Sequence, residues 1–411
     1  MSMLCWLLAG GCLVYFAFVR RKIDLLSFGY AGFSVYSMPI LIGSVPAYVS
    51  TERLEIVNFL YVYYIVFLLA FLCTTLVYDK YFGKVEPSKQ WSFHIPKYLV
   101  LSLFGLAVVM VLSLSGYLLS SGIYIQHGVE KSQVLHELPP IYNWVVYYLI
   151  ASAIFCASLR YYWLSFFIIL LFAFDIAFIG MRVHFILALI GVMLAVLNGY
   201  KLTLKQALFG VISSTALIAI VIFIKPMVRI FSSTEHPVAE LIHYFNGSAR
   251  FTRYLGSMEP FPQISIFNEV VKHSVHIPFN EWWQGIITLF GFGDTSLVVK
   301  FTSVISELFP GIREGALGSS SVAEIYALLG VAGLTAFCLL YPSLLAFLSY
   351  LCRKYGDIAK LTFLPVIPIV GFYFYRSDIY FSLLQMRRIL FYSLILLSIT
   401  LLIKIIKRKS V

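Results

Sequence analysis

Six arginines in this sequence are placed where they could hold a phosphate group, and two carboxylates, Glu324 and Asp378, are candidates to move a proton. Arg182 lies in Gly180-Met181-Arg182-Val183-His184, and Arg376 in Tyr375-Arg376-Ser377-Asp378. Arg387 and Arg388 follow two or three helical turns later, and Arg250 and Arg253 are three apart, on one face if their stretch is helical. A guanidinium is a planar fork of donors that matches phosphate oxygens, so these side chains read as a pyrophosphate clamp, with Arg182, Arg250, Arg253, Arg376 and Arg387 as the binding candidates. The competing reading pairs Arg376 with Asp378 and anchors the other arginines to lipid phosphates.

A second constellation is Gly318-Ser319-Ser320-Ser321-Val322-Ala323-Glu324-Ile325-Tyr326, with Gly330 and Gly333 beyond it. Ser321 and Glu324 have the spacing of a capping box, in which each side chain takes the other's backbone amide. Alternatively, Glu324 faces a cavity where burial suits it to general-base work, and the turn around Ser320 offers donors to an anion at a helix start. Tyr326 is a candidate contact, since tyrosine stacks on sugar rings. His184, beside Arg182, is a candidate for touching substrate. His273 and His276 are three apart but lack a fuller ligand set, so no metal or other cofactor is expected.

The elements that must carry these residues are membrane helices. Of 411 residues, 61% are hydrophobic, 17% aromatic and 12% charged, and the mean hydropathy is +0.90. A soluble domain is nearer 45–50% apolar and about 25% charged. The apolar residues come in long unbroken runs without period-two alternation, which excludes a β-barrel. Six cysteines lie in or beside these runs with no C-x-x-C pair, so neither a disulfide framework nor a zinc site is indicated. The net charge of +11 does not point to nucleic acid, because the basic residues collect in short links between apolar runs.

Eleven runs could form spans of about 20 residues: 3–19, 25–49, 56–78, 98–120, 142–159, 161–180, 183–199, 206–224, 322–351, 361–375 and 388–406. The tenth is short and broken by Pro365 and Pro368, and the last opens with a basic pair. Arg20-Arg21-Lys22 follows the first run where a signal peptide would carry its cleavage motif, so that run reads as an uncleaved span. Alternate links are basic: Arg20, Arg21 and Lys22; Lys80, Lys84, Lys89 and Lys97; Arg160; Lys201 and Lys205; Arg353, Lys354 and Lys360; and the C-terminal tail. The positive-inside rule then puts the N-terminus outside and the C-terminus in the cytoplasm.

This predicts an all-α, polytopic membrane helix bundle of about 11 spans. Residues 1–224 carry spans one to eight, 225–321 form a large extracytoplasmic loop, and 322–411 carry the last three. Within the loop, the apolar stretch from Trp282 to Phe290 suggests a short helix lying at the interface.

At Gly180-Met181-Arg182, at the Gly318–Gly333 stretch and at Tyr375-Arg376-Ser377-Asp378, the chain resembles the oligosaccharide repeat-unit polymerases, the O-antigen (Wzy-type) polymerases of bacterial envelopes. The general layout of spans and large loop covers the whole chain. Members often carry glycine after the C-terminal arginine, where this sequence has Ser377. The resemblance implies a metal-independent lipid-donor glycosyltransferase in the bacterial inner membrane. It would join undecaprenyl-pyrophosphate-linked oligosaccharides at the periplasmic face in lipopolysaccharide biosynthesis, with a chain-length regulator as a further partner. Arg182, Arg376, Arg250 and Arg253 would bind the pyrophosphates, and Glu324 or Asp378 would act on the acceptor hydroxyl. The rivals are an O-antigen ligase, disfavoured because no histidine follows His276, and a flippase, disfavoured because Asp175 is the clearest mid-run charge.

Overall fold

The computed structural model describes residues 1–46, 53–83, 95–123, 137–210, 261–291, 301–308 and 320–409, with isolated positions 134, 212–213 and 239. The helices in chain order are α1 (Ser2–Val14, continued by a π-helical turn Tyr15–Arg20), α2 (Leu25–Ile42), α3 (Asn58–Tyr81), α4 (Lys97–Ser121), α5 (Ile141–Ser158), α6 (Tyr162–Leu171) and α7 (Val183–Leu197). There follow α8 (Phe261–Lys272), α9 (Phe279–Thr288), α10 (Phe301–Leu308), α11 (Ser321–Lys354), α12 (Gly356–Phe363), α13 (Ile367–Gly371) and α14 (Ile379–Lys409). A small antiparallel ribbon, β1 (Ser44–Pro46) with β2 (Arg53–Glu55), lies between α2 and α3. Among the described residues eight helices are long and apolar enough to cross a membrane, and α7 is a shorter apolar helix. The protein is an all-α polytopic membrane protein.

Two expected runs differ in the structure, and a third lies mostly outside the described residues. The 361–375 run is split into α12, α13 and a 3-10 turn at Tyr373–Tyr375, because Pro365 and Pro368 each remove a ladder donor. The last helix begins at Ile379 rather than 388, so Arg387 and Arg388 lie in its third turn instead of at its mouth. Most of the 206–224 run falls outside the described residues.

The chain forms two compact units. The first comprises residues 1–76, 199–343 and 374–380. Its core is aromatic: Phe33 stacks on Phe67 with ring centroids 4.0 Å apart, and Tyr341 meets Phe67, Phe71 and Tyr375. Helix α8 enters this core, with Phe267 against Tyr63 and Asn268 accepting from the Val57 amide while donating to the Glu55 carbonyl. Asp24 caps α2 by accepting the Ser27 amide, and both its oxygens also take the Arg20 guanidinium, at 2.8 and 2.6 Å. Burial favours the neutral form of Asp24, but Arg20, the Ser27 amide and Lys22 together outweigh it and hold the carboxyl below the usual range. In α11, Gly330 adopts φ 60°, ψ −150°, open to glycine and costly for other residues. The ladder breaks there, and the Ala327 carbonyl accepts the Ile277 amide instead.

The second unit comprises residues 77–198, 344–373 and 381–411. Helix α5 is its centre, buried from Val145 to Ala157, and it packs against α4, α6 and α7. Gly191 permits the close approach of α7, since a methyl group there would collide with Ile154. Helix α4 buries a stripe of Val100, Ala107, Val111, Leu114 and Leu118, while Leu106, Val109 and Leu112 face outward. An apolar outer face of this kind suits lipid rather than water.

Contacts within each unit join links that the charge pattern assigns to one side. In the first unit the Ile23 amide bonds the Tyr200 carbonyl, and the Leu202 amide the Arg21 carbonyl. In the second unit Arg353 bonds the Gly83 carbonyl, and the Tyr161 hydroxyl the Ile95 carbonyl.

Candidate functional site

Two polar centres stand out, one in each unit. In the first, α11 starts one residue earlier than its spacing suggests. The Ser320 carbonyl accepts the Glu324 amide at 3.0 Å and its hydroxyl accepts the Ala323 amide at 3.4 Å, so Ser320 is the cap. The capping box expected between Ser321 and Glu324 does not form. Ser321 instead donates to the Ser377 carbonyl at 2.6 Å. The Glu324 carboxylate, 1% exposed, accepts the Trp282 indole N–H at 2.7 Å on one oxygen and the Ile379 amide at 2.6 Å on the other.

The reason lies at the start of α14. Its first amides have no acceptor within the helix, and a carboxylate from α11 satisfies one of them. Glu324 thereby ties α9, α11 and the start of α14 together. The two tryptophans of α9 divide their roles: Trp282 turns inward to Glu324, and Trp283 is exposed. Asp378, adjacent to Ile379, is buried, and Arg376 is partly buried. Ser320 lines a small hollow of about 10 Å³ with Tyr36, Gln263 and Tyr375. Tyr326 sits in the aromatic packing, its ring 5.3 Å from Phe59 and 6.2 Å from Phe267.

The second centre surrounds a cavity of about 400 Å³ between the first turns of α5 and the arginine-bearing turn of α14. Its wall includes Asn143, Trp144, Tyr147, Arg387, Arg388 and Tyr392. Asn143 and Tyr147 are one helical turn apart and share a face. Arg388 donates to the Asn143 side-chain oxygen at 3.1 Å and lies over the Tyr147 ring, 5.4 Å from its centroid. Behind this wall His184 and Asp175 form a buried pair: His184 Nδ1 is 2.8 Å from one Asp175 oxygen, and the Tyr142 hydroxyl donates to the other at 2.7 Å. His184, expected as a substrate contact, is 4% exposed and faces these protein partners. Arg182, two residues before it, is exposed at the N-cap of α7.

Of the arginines singled out by sequence, Arg182 and Arg387 belong to the second unit and Arg376 to the first. Arg250 and Arg253 lie outside the described residues. Among the described residues no group of three or more histidine, cysteine or acidic side chains could hold a metal ion. His273 pairs with Glu269 at 3.2 Å, one turn earlier on α8. Sequence reasoning passed over Asn143 and over Tyr142, Trp144 and Tyr147, the last three of which look like the ordinary interfacial aromatics of a span. The available signal was polarity inside apolar runs: Asp175, Arg387 and Arg388 are each expensive at membrane depth and each needed a partner. No family model, no curated protein and no solved structure matches this chain.

Proposed function

We propose that this chain is a membrane-embedded glycosyltransferase of the lipid-donor type, an oligosaccharide repeat-unit polymerase that takes undecaprenyl-pyrophosphate-linked glycans. The observation that carries this reading is the cavity of the second unit, where Arg387 and Arg388 stand among Trp144, Tyr147 and Tyr392 inside a membrane-spanning helix pair. A charged side chain at membrane depth costs about 2.5–3.5 kcal/mol on insertion scales, so two adjacent guanidiniums there mark a functional position. A pyrophosphate leaving group suits their forked donors. Guanidinium donors stabilise the charge that develops as the sugar–pyrophosphate bond breaks, and aromatic faces suit a sugar ring or a prenyl chain.

In the reaction the acceptor hydroxyl oxygen bonds to the anomeric carbon of the donor sugar. The bond from that carbon to the pyrophosphate oxygen breaks, and the hydroxyl proton passes to a carboxylate. Arg182, in the same unit as this cavity, is a further candidate for a phosphate contact.

The test is expression in a bacterial strain that lacks its own repeat-unit polymerase but makes the matching repeat unit. A restored ladder of chain lengths, lost in Arg387→Ala/Arg388→Ala at equal protein level, is the expected result. A ladder unaffected by that double substitution would remove the arginines from the chemistry. In the strain from which the chain derives, deletion should leave core capped with a single repeat. Uncapped core with polymer retained on the carrier would identify a ligase instead.

A further inference from the structure

The geometry points to Asp175, acting through His184 and Tyr142, as the positioning group that holds Arg388 in the wall of the second unit's cavity. Asp175 is wholly buried and opens a π-helical turn, Asp175–Ile179, at the end of α6. Such turns add a residue to the helix, re-aim the side chains around them and recur at functional sites. Each carboxylate oxygen has a different donor, Tyr142 on one and His184 on the other. The single Tyr142 proton points to Asp175 at 2.7 Å, and the longer 3.3 Å approach of its oxygen to His184 Nδ1 fits a nitrogen that carries its own proton toward the same carboxylate.

These contacts connect directly to the arginine. Tyr142 precedes Asn143, which accepts the Arg388 hydrogen bond. The His184 ring meets the Tyr147 ring edge-on, 5.8 Å between centroids at 82°. Tyr147, 2% exposed, carries the Arg388 guanidinium over its face. Both holds on Arg388 therefore come from the first two turns of α5, and Asp175 pins those turns from behind. A guanidinium on a long flexible stem, held only through Asn143 and Tyr147 side chains, swings unless its platform is rigid. A buried carboxylate with two donors provides that rigidity.

This role rests on reading the cavity as an anion site, and the experiment separates the two. The full chain is purified in nanodiscs as wild type, Asp175→Asn, His184→Ala, His184→Asn and Tyr142→Phe. The first measurement is phenylglyoxal modification of Arg388 relative to Arg387, read by fragmentation of the peptide that carries both. Asp175→Asn and His184→Ala should raise the Arg388 to Arg387 ratio about threefold, the scale of losing one cation–π contact. His184→Asn, whose amide nitrogen sits near the place of Nδ1, should return the ratio toward wild type. A general loss of packing would not be rescued in that way. Should Asp175→Asn fail to accumulate, Tyr142→Phe, which deletes one of the two donors, stands in for it.

The second measurement is affinity for farnesyl diphosphate. The same variants should bind about tenfold more weakly, the loss expected for one hydrogen bond to a charged group. An unchanged modification ratio in Asp175→Asn and His184→Ala overturns the positioning role, whatever the ligand does. Failure of wild type to bind farnesyl diphosphate, with the ratio shifting as expected, overturns the anion reading and leaves the platform standing.

Discussion

Replacing Glu324 by glutamine should destabilise the first unit, because the carboxylate is a two-armed acceptor and an amide is not. Trp282 and Ile379 each present an N–H to a different oxygen of Glu324, at 2.7 and 2.6 Å. Glutamine keeps the shape, but whichever way its amide turns, one N–H faces an NH₂ group. One buried donor is then orphaned, at about 1–3 kcal/mol. The surviving bond also loses its charge assistance, which roughly halves its strength. Together these cost about 2–4 kcal/mol, enough to lower the apparent melting temperature of the purified protein by several degrees.

The assay is a double-mutant cycle on thermal unfolding in detergent with Glu324→Gln, Trp282→Phe and the pair. In the double variant the glutamine oxygen can turn to Ile379 with no indole opposing its NH₂. The pair should therefore be less destabilised than the sum of the singles, by about 1–3 kcal/mol. Strict additivity, or a Glu324→Gln protein as stable as wild type, would refute the tie. If that stable protein were also inactive in glycan assembly, Glu324 would regain the role of general base that its sequence context suggests.

Other substitutions probe the frame around the two centres. Asp24→Asn keeps an N-cap for α2 but removes the carboxylate charge that faces the buried Arg20 guanidinium, so it should cost about 3–5 kcal/mol at neutral pH, measured by thermal unfolding. Because Asp24 has its carboxyl held below the ordinary value, its contribution is complete above about pH 4 and fades as pH falls through the lowered value; the variant should lose that acid-dependent component. Gly191→Val should force α7 away from Ile154 and cost about 1–3 kcal/mol, with a Gly191→Ala control affected less. Gly330→Ala should destabilise by about 1–3 kcal/mol through its positive φ, and hydrogen exchange at the Ile277 amide should quicken if the break in α11 is what frees the Ala327 carbonyl.

The architecture was readable because membrane helices are specified by run length and composition, which need no knowledge of partners. Most span boundaries implied by the runs fall within a few residues of the helices. Where they fail, the cause is a contact between distant segments. Asp378, a residue type that favours helix N-caps, directly precedes Ile379, but the acceptor for the Ile379 amide comes from Glu324, 55 residues away in sequence. The Ser321–Glu324 spacing invited a local solution, and tertiary partners outcompeted it: Ser377 took the hydroxyl, and Trp282 and Ile379 took the carboxylate. The site was legible only by residue type. Arginine inside an apolar run announces a need for compensation, but which aromatic ring and which amide provide it depends on the face that α5 turns toward α14.

That face also bears on why the cavity would use arginine rather than lysine. An ammonium ion could pair with Asn143, but it would have no plane to lay on Tyr147. The guanidinium does both and, with five N–H groups, has more donors than Asn143 can accept. The stack on Tyr147 lowers the cost of keeping the charge at membrane depth, by about 0.5–2 kcal/mol. Arg388→Lys should therefore lose more than its preserved charge suggests. If the lysine variant bound a polyprenyl diphosphate as tightly as wild type, charge alone would suffice and the fork and the stack would be incidental.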